Sequence, residues 1–172
     1  MVQFEKTKLD GVFIIKPSVF EDFRGEHIEI YNEKIYEECV NTRFIQDNIS
    51  VSTKHVLRGI HGDDTTWKLI SCLYGRFYLV VIDYNKYSKN FGKWQGFTIS
   101  DKNRYQVLVP PKFGNGHLVL SDSAIFHYKQ SMYYDPKSQF TIKWNDPKFN
   151  IWWPIKSPII SQRDEIGHII NG

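Results

Sequence analysis

Little in this 172-residue sequence points to covalent cross-linking, membrane insertion or nucleotide-loop chemistry. It has two cysteines, Cys39 in a charged segment and Cys72 in an apolar run. That is too few for a secreted disulfide framework and lacks any CxxC spacing, so both are expected to be free thiols in a reducing cytoplasm. No apolar run approaches the roughly 20 residues that span a bilayer, and the opening Met-Val-Gln-Phe-Glu-Lys has no basic stretch followed by an apolar core. A soluble, cytoplasmic chain with no membrane partner is the expectation. The formal net charge is only +3, with Lys and Arg scattered, which argues against nucleic acid as a partner and suits a small anion such as a nucleotide diphosphate. Walker loops, GxGxxG fingerprints and GxSxG elbows are missing, removing the usual support for phosphoryl transfer, hydride transfer and triad hydrolysis. The six histidines (27, 55, 61, 117, 127 and 168) never stand two apart, so the His-x-His of a β-barrel metal site is absent and no metal or other cofactor is expected.

What the sequence does have is apolar and aromatic material, at 41% and 16%, enough for a core and an aromatic-lined pocket in a single domain over residues 1–172. Short segments rich in β-branched and aromatic residues recur between turn signals: 11–15, 28–31, 43–45, 56–61, 68–73, 76–82, 94–99, 105–109, 117–120, 125–132 and 140–144. They predict an all-β sandwich or barrel, most economically a jelly roll with a few short helices. Glu33 to Val40 is the clearest helix, with Asn32 as its cap. Pro110-Pro111, with Gly114 and Gly116 behind them, predict a shaped loop before an apolar run at His117. The tail after Trp153-Pro154 is irregular and must fray or fold over the barrel.

Specific chemistry first shows at Val56-Leu-Arg-Gly-Ile-His61, where an apolar strand ends by delivering Arg58 and His61 on either side of a glycine. Taken alone, a histidine there is a hydrogen-bonded turn residue. Its surroundings say more. Arg58, Gly59, His61, Trp67 and Lys68 resemble the Leu-Arg-Gly-Leu-His and Gly-Lys-Leu-Val segments of the dTDP-4-dehydrorhamnose 3,5-epimerase family. Val19-Phe-Glu-Asp-Phe-Arg-Gly25, Phe44-Ile-Gln-Asp-Asn48, Phe91-Gly-Lys-Trp94, Phe126-His-Tyr-Lys129, Tyr133-Tyr134, Ile142-Lys-Trp-Asn-Asp146, Trp153-Pro154 and Ser161-Gln-Arg-Asp164 match in order, so the resemblance spans roughly residues 2–167.

The resemblance implies a cupin jelly roll that forms a homodimer by exchanging N-terminal strands, each site being partly completed by the partner chain. It implies a cofactor-independent epimerase acting on a nucleotide-linked 4-keto sugar, in which protons at C3 and C5 become removable beside the C4 ketone. His61 would be the base, oriented by Asp164; Tyr128 the proton donor on the opposite face; Lys68 the cation at the enolate oxygen. Strand alternation would turn Phe126 and Tyr128 inward together and His127 and Lys129 outward. Arg24, Gln46, Asn48 and Arg58 would hold diphosphate and sugar, Glu29 would lie near the nucleotide, and Tyr134 would line the site.

Three departures stand out. The family loop Pro-Glu-Gly-Phe-Ala-His-Gly-Phe reads here Pro110-Pro-Lys-Phe-Gly-Asn-Gly-His117, leaving Asn115 or His117 to take the place of the usual histidine in contacting substrate. His61-Gly-Asp-Asp-Thr-Thr-Trp67 replaces a longer stretch, and Glu26-His27-Ile28 replaces aromatics. These features resemble a branch acting on GDP-linked 4-keto heptoses in bacterial capsule biosynthesis, with inversion at C3 alone or at C3 and C5. That branch is the favoured expectation. The alternatives are a dTDP-4-keto-6-deoxyglucose 3,5-epimerase, an isomerase that moves the ketone, and a non-catalytic sugar-binding jelly roll.

Overall fold

Strands whose side chains alternate, or are apolar throughout, satisfy their backbone by lateral pairing while burying one or both faces. In the computed structural model, which describes residues 1–167 and so leaves His168 outside, the elements run β1 (Gln3–Lys6), β2 (Phe13–Lys16), β3 (Val19–Asp22), β4 (Gly25–Ile28), α1 (Glu33–Tyr36), β5 (Gln46–Thr53), β6 (Leu57–Gly62) and β7 (Lys68–Tyr74). They continue through β8 (Arg76–Asp83), β9 (Trp94–Ser100), β10 (Gln106–Val109), β11 (Phe113–Val119), β12 (Ser123–Gln130), β13 (Phe140–Thr141) and α2 (Gln162–Ile166). A six-stranded sheet, ordered β1-β2-β10-β7-β12-β5, faces a five-stranded sheet, ordered β13-β6-β11-β8-β9, and β3–β4 stand apart as a hairpin. This is a jelly roll. Among the described residues no helix is long and apolar enough to cross a membrane.

Strand β8 shows what fixes the functional wall. Phe77, Leu79 and Val81 point between the sheets, against Ile70, Val107, Val109 and Phe126. Val80 and Ile82 point the other way, where Phe149 and Trp153 of the C-terminal segment cover them together with Ile60, Leu118 and Ile142. Buried on both faces, β8 reads as a continuous apolar run rather than an alternation. The tail therefore folds over the barrel: Ile159 bridges Val56 in parallel, accepting from Leu57 N–H and donating to His55 C=O, both at 2.9 Å.

Several predicted elements move. The expected strand at 28–31 contributes only Ile28, as the end of the β3–β4 hairpin. Residues 43–45 are not in a strand, β5 starting at Gln46. The helix closes at Tyr36 and continues as turns, and Asn32 makes no side-chain cap, its amide donating instead to Glu29 Oε1 at 3.2 Å. Strand β13 keeps two residues of the predicted five. The expected loop at 110–116 is short, because β11 already begins at Phe113. Gly114 and Gly116 lie inside that strand, where a Cβ would sit 2.7 Å and 3.0 Å from the Ile60 side chain. These glycines let β6 and its neighbour approach, which a turn-based reading of glycine misses.

Gly59 is constrained twice. Its φ is +109°, and an added Cβ would lie 2.6 Å from Gly116 Cα and 2.7 Å from Asn115 O. Gly59→Ala is expected to cost about 2–4 kcal/mol, from backbone strain plus an overpacked strand contact, read as a lower denaturant midpoint at unchanged m-value.

Candidate active site

Between the sheets lies a cavity of about 710 Å³ with walls from both. The six-stranded sheet supplies Asn48 (β5), Lys68 (β7), Tyr128 and Gln130 (β12); the five-stranded sheet supplies Arg58 and His61 (β6), Asn115 and His117 (β11). Tyr134, Gln139, Arg163 and Asp164 complete the rim. His61 and Tyr128 thus come from opposite walls, and alternation along β12 turns Phe126, Tyr128 and Gln130 to the same face.

His61 Nε2 lies 2.6 Å from Asp164 Oδ1, and Asp164 Oδ2 accepts the Gly59 N–H at 3.1 Å. Ser161 caps α2, its hydroxyl oxygen accepting the Asp164 N–H at 3.2 Å. Asp164 is buried, its side chain 4% exposed. Burial pushes its pKa up, but the bonds from His61, Gly59 and Ser161 prevail and hold it below its ordinary 3.8. An ionised carboxylate only accepts, so Nε2 carries the hydrogen and Nδ1 is left with a lone pair.

Lys68 Nζ stands 3.4 Å from Asn115 Oδ1, and Asn115 is the cross-strand partner of His61. Burial lowers the Lys68 pKa while Asp63 opposes the shift. Burial, reinforced by Tyr134, raises the Tyr128 phenol above its ordinary 10.0, so Tyr128 is a protonated donor at neutral pH. His117 stacks on Phe126 with centroids 4.0 Å apart and planes within 5°. Burial first, then the Arg58 and His61 charges, push its pKa down to about 3, so it stays neutral. Its Nε2, like Asn48 Nδ2, is buried without a hydrogen-bond partner among the described residues.

Arg58 also lines the cavity, its Nε donating to Ser52 Oγ at 2.9 Å. Gln46 stands behind the wall and steadies it, its Nε2 donating to Asn48 Oδ1 at 3.1 Å and its Oε1 accepting the Tyr134 N–H at 3.0 Å. Arg24 and Glu29 are not brought to this chain's cavity. Arg24 pairs with Asp22 at 2.6 Å on the exposed hairpin, and Glu29 follows that hairpin, bonded to Asn32. Sequence reasoning passed over Gln130, Gln139 and Arg163. Gln130 was available from its two-residue spacing to Tyr128 and Arg163 from the Ser161–Asp164 motif, whereas nothing local marks Gln139. Among the described residues no three His, Cys, Asp or Glu side chains are grouped to hold a metal ion.

A lysine, a histidine–carboxylate pair and a tyrosine on the far wall suit proton removal beside a carbonyl, and known proteins agree. The family model described as dTDP-4-dehydrorhamnose 3,5-epimerase matches residues 6–171. The enzyme of that name from Shigella flexneri is 41% identical over 164 residues, covering 92% of this chain and 91% of the relative. The crystal structure of dTDP-6-deoxy-D-glucose-3,5-epimerase from Legionella pneumophila, in complex with dTDP-4-keto-L-rhamnose, is similar at a TM-score of 0.93 and 38% identity, covering 97% of this chain and 92% of that one. The Bacillus anthracis dTDP-4-dehydrorhamnose 3,5-epimerase, with TDP and PPi bound, gives a TM-score of 0.94 at 34% identity, covering 98% and 99%. These names correct the preference for a GDP-heptose branch: they favour the thymidine-linked alternative. On sequence and on fold, this chain belongs to the dTDP-4-dehydrorhamnose 3,5-epimerase family of isomerases that act on nucleotide sugars.

Proposed function

We propose that the chain inverts C3 and C5 of a dTDP-linked 4-keto-6-deoxy sugar without a cofactor. The observation that carries this reading is the placement of the His61–Asp164 pair and Tyr128 on opposite walls of one cavity, with Lys68 on the Tyr128 wall and its Nζ at Asn115, the cross-strand neighbour of His61. His61 Nδ1 takes the proton from the carbon beside the ketone, and the C–H electron pair moves into the enolate. Lys68 holds the developing oxygen charge in a site partly shielded from water. Tyr128 then delivers a proton to the opposite face, His61 and Tyr128 exchange protons with solvent, and the cycle repeats at the second carbon.

Arg58, Asn48 and the Gln46 brace bind the diphosphate and sugar. Arg24 and Glu29 complete the cavity of a partner subunit in a homodimer, which accounts for their position on an exposed hairpin carrying Phe20 and Phe23, themselves 64% and 97% exposed.

A second reading, a GDP-linked 4-keto heptose, keeps one specific support: Asn115 and the neutral His117, whose Nε2 has no partner among the described residues, line the wall where the family usually has His and Phe, and such groups suit additional sugar hydroxyls. Incubation in heavy water with dTDP- and GDP-linked 4-keto sugars tests both. Two deuteriums, at C3 and C5, are expected with the dTDP donor. One at C3 alone marks a restricted epimerase, preference for the GDP donor moves the assignment to the heptose, and tight binding without exchange leaves a sugar-binding jelly roll.

A further inference from the structure

Lys68 poses an electrostatic problem that the dyad does not solve. Among the described residues no carboxylate lies within 4.0 Å of its ammonium, and its hydrogen bond goes to the neutral Asn115 amide. The other titratable groups of the cavity are Arg58 and His61 on β6, His117 on β11, Tyr128 on β12, Tyr134, and Arg163 and Asp164 on α2. Asp164, the one carboxylate among them, is already committed to His61 and Gly59. A lone ammonium in such a place tends to lose its proton, and with it the ability to hold an enolate.

Asp63 and Asp83 are the buried carboxylates left over, and Asp63 is the one bonded to a residue of the cavity. It sits between His61 and Lys68 in the loop joining β6 to β7, 3% exposed. Its Oδ1 accepts the Thr65 and Thr66 N–H groups at 2.9 Å and 2.7 Å, and its Oδ2 accepts from Gln139 Nε2 at 2.9 Å. Gln139 is itself buried and lines the cavity that Lys68 also lines, so Asp63 stands one side chain away from that cavity, five residues before Lys68 in the connecting loop. Every bond it makes comes from a neutral donor, so its negative charge is stabilised locally without being cancelled.

We propose that Asp63 is a positioning residue that acts through Lys68: its fixed negative charge keeps the Lys68 ammonium protonated in the cavity, and its bonds to the 65–66 loop and Gln139 hold that charge in place. The Asp63 carboxyl lies below its ordinary 3.8, burial being outweighed by the bonds from Thr65, Thr66 and Gln139, so the charge persists throughout the neutral range. This role rests on the epimerase reading for its catalytic meaning, while the pairing of the two groups can be measured without turnover.

The test labels lysine Cε with carbon-13, assigns Lys68 by Lys68→Arg, and titrates the native protein, Asp63→Asn and Asp63→Ser. The expected result is that Lys68 deprotonates at lower pH in both Asp63 variants than in the native protein. The ratio of variant to native kcat for deuterium exchange should then fall by about tenfold or more between about pH 6.5 and about pH 9. A Lys68 titration unchanged by both variants, or a kcat ratio flat across pH, overturns the proposal and leaves Asp63 a loop-building residue. If neither variant folds alone, Lys68→Met decides, since removing the cation abolishes the need for its counter-charge. Recovery of the fold in the double variant supports the pairing, and failure to recover overturns it. Absence of exchange by the native protein would overturn the proposed function and leave the Lys68 titration as an independent result.

Discussion

Replacing His61 with Asn is expected to remove deuterium exchange at C3 and at C5 together, lowering kcat by about 10²–10⁴-fold, while nucleotide-sugar affinity stays close to native. The joint loss follows from the scarcity of bases in the cavity. His117 is the other histidine in its wall, but burial and the Arg58 charge push its pKa down to about 3, making it a poor proton acceptor. Tyr128 is held protonated, and the Asp164 carboxylate is turned into the protein toward His61 and Gly59. Asparagine reaches only to about the Nδ1 position of the imidazole, while Asp164 keeps its bonds with Gly59 and Ser161, so the cavity should survive the change while losing its base. Mass spectrometry of recovered sugar after incubation in heavy water, with binding measured by calorimetry, checks both halves. Exchange that persists at one carbon would mean a second base serves it.

The parts of this site written locally were legible in the sequence, and the parts made by distant contacts were legible only through the family motifs. Alternation along β12 put Tyr128 beside Phe126 on the cavity face, and the apolar run ending at His61 gave β6 nearly to the residue. Asp164 is different. Alone it reads as a surface carboxylate on a polar turn, and it becomes a buried partner because the tail folds back along β6, joining residues 103 positions apart. Nothing periodic marks that contact. The β3–β4 hairpin was missed for the opposite reason: nearly all of its residues are exposed, so neither face carries the apolar pattern that identifies a strand. Gly114 and Gly116 misled because glycine signals a turn by sequence, whereas in β11 it answers the close approach of Ile60. Gln139 reaches the cavity from a segment of turns, and only the fold reveals it.

Asp164→Asn is expected to have the second-largest effect, and on two properties at once. An asparagine at Oδ1 distance from His61 can offer either its carbonyl or its amide group, so the imidazole loses the fixed negative charge that stabilises its protonated form and sets which nitrogen faces substrate. A fall in kcat of about 10²–10⁴-fold is expected, with KM moved far less, since orientation of a base matters in the transition state rather than in binding. Stability should also fall near neutral pH, by about 1–3 kcal/mol for weakened bonds to a group with 4% side-chain exposure. The sign of the pH dependence follows from the depressed Asp164 pKa. In the unfolded chain the carboxyl takes up a proton near 3.8, above its native value, so its contribution to stability is complete above 3.8 and disappears as the pH falls through the native value. His117 acts in a higher window: unfolding lets it bind a proton below its ordinary 6.5, which the native state resists down to about 3, so stability drains away from 6.5 downward on its account. Denaturant unfolding at about pH 7, about pH 5 and about pH 3 should therefore show both proteins losing stability from pH 7 to pH 5 alike, through His117. The gap between them should narrow only in the last step, where the unfolded chain protonates Asp164 below 3.8 while the native fold resists, and the variant has no such group to titrate. A gap that instead widens as the pH falls from 7 to 5 would mean that Asp164 is neutral in the native fold, and the assignment of Nε2 as the hydrogen-bearing nitrogen of His61 would go with it.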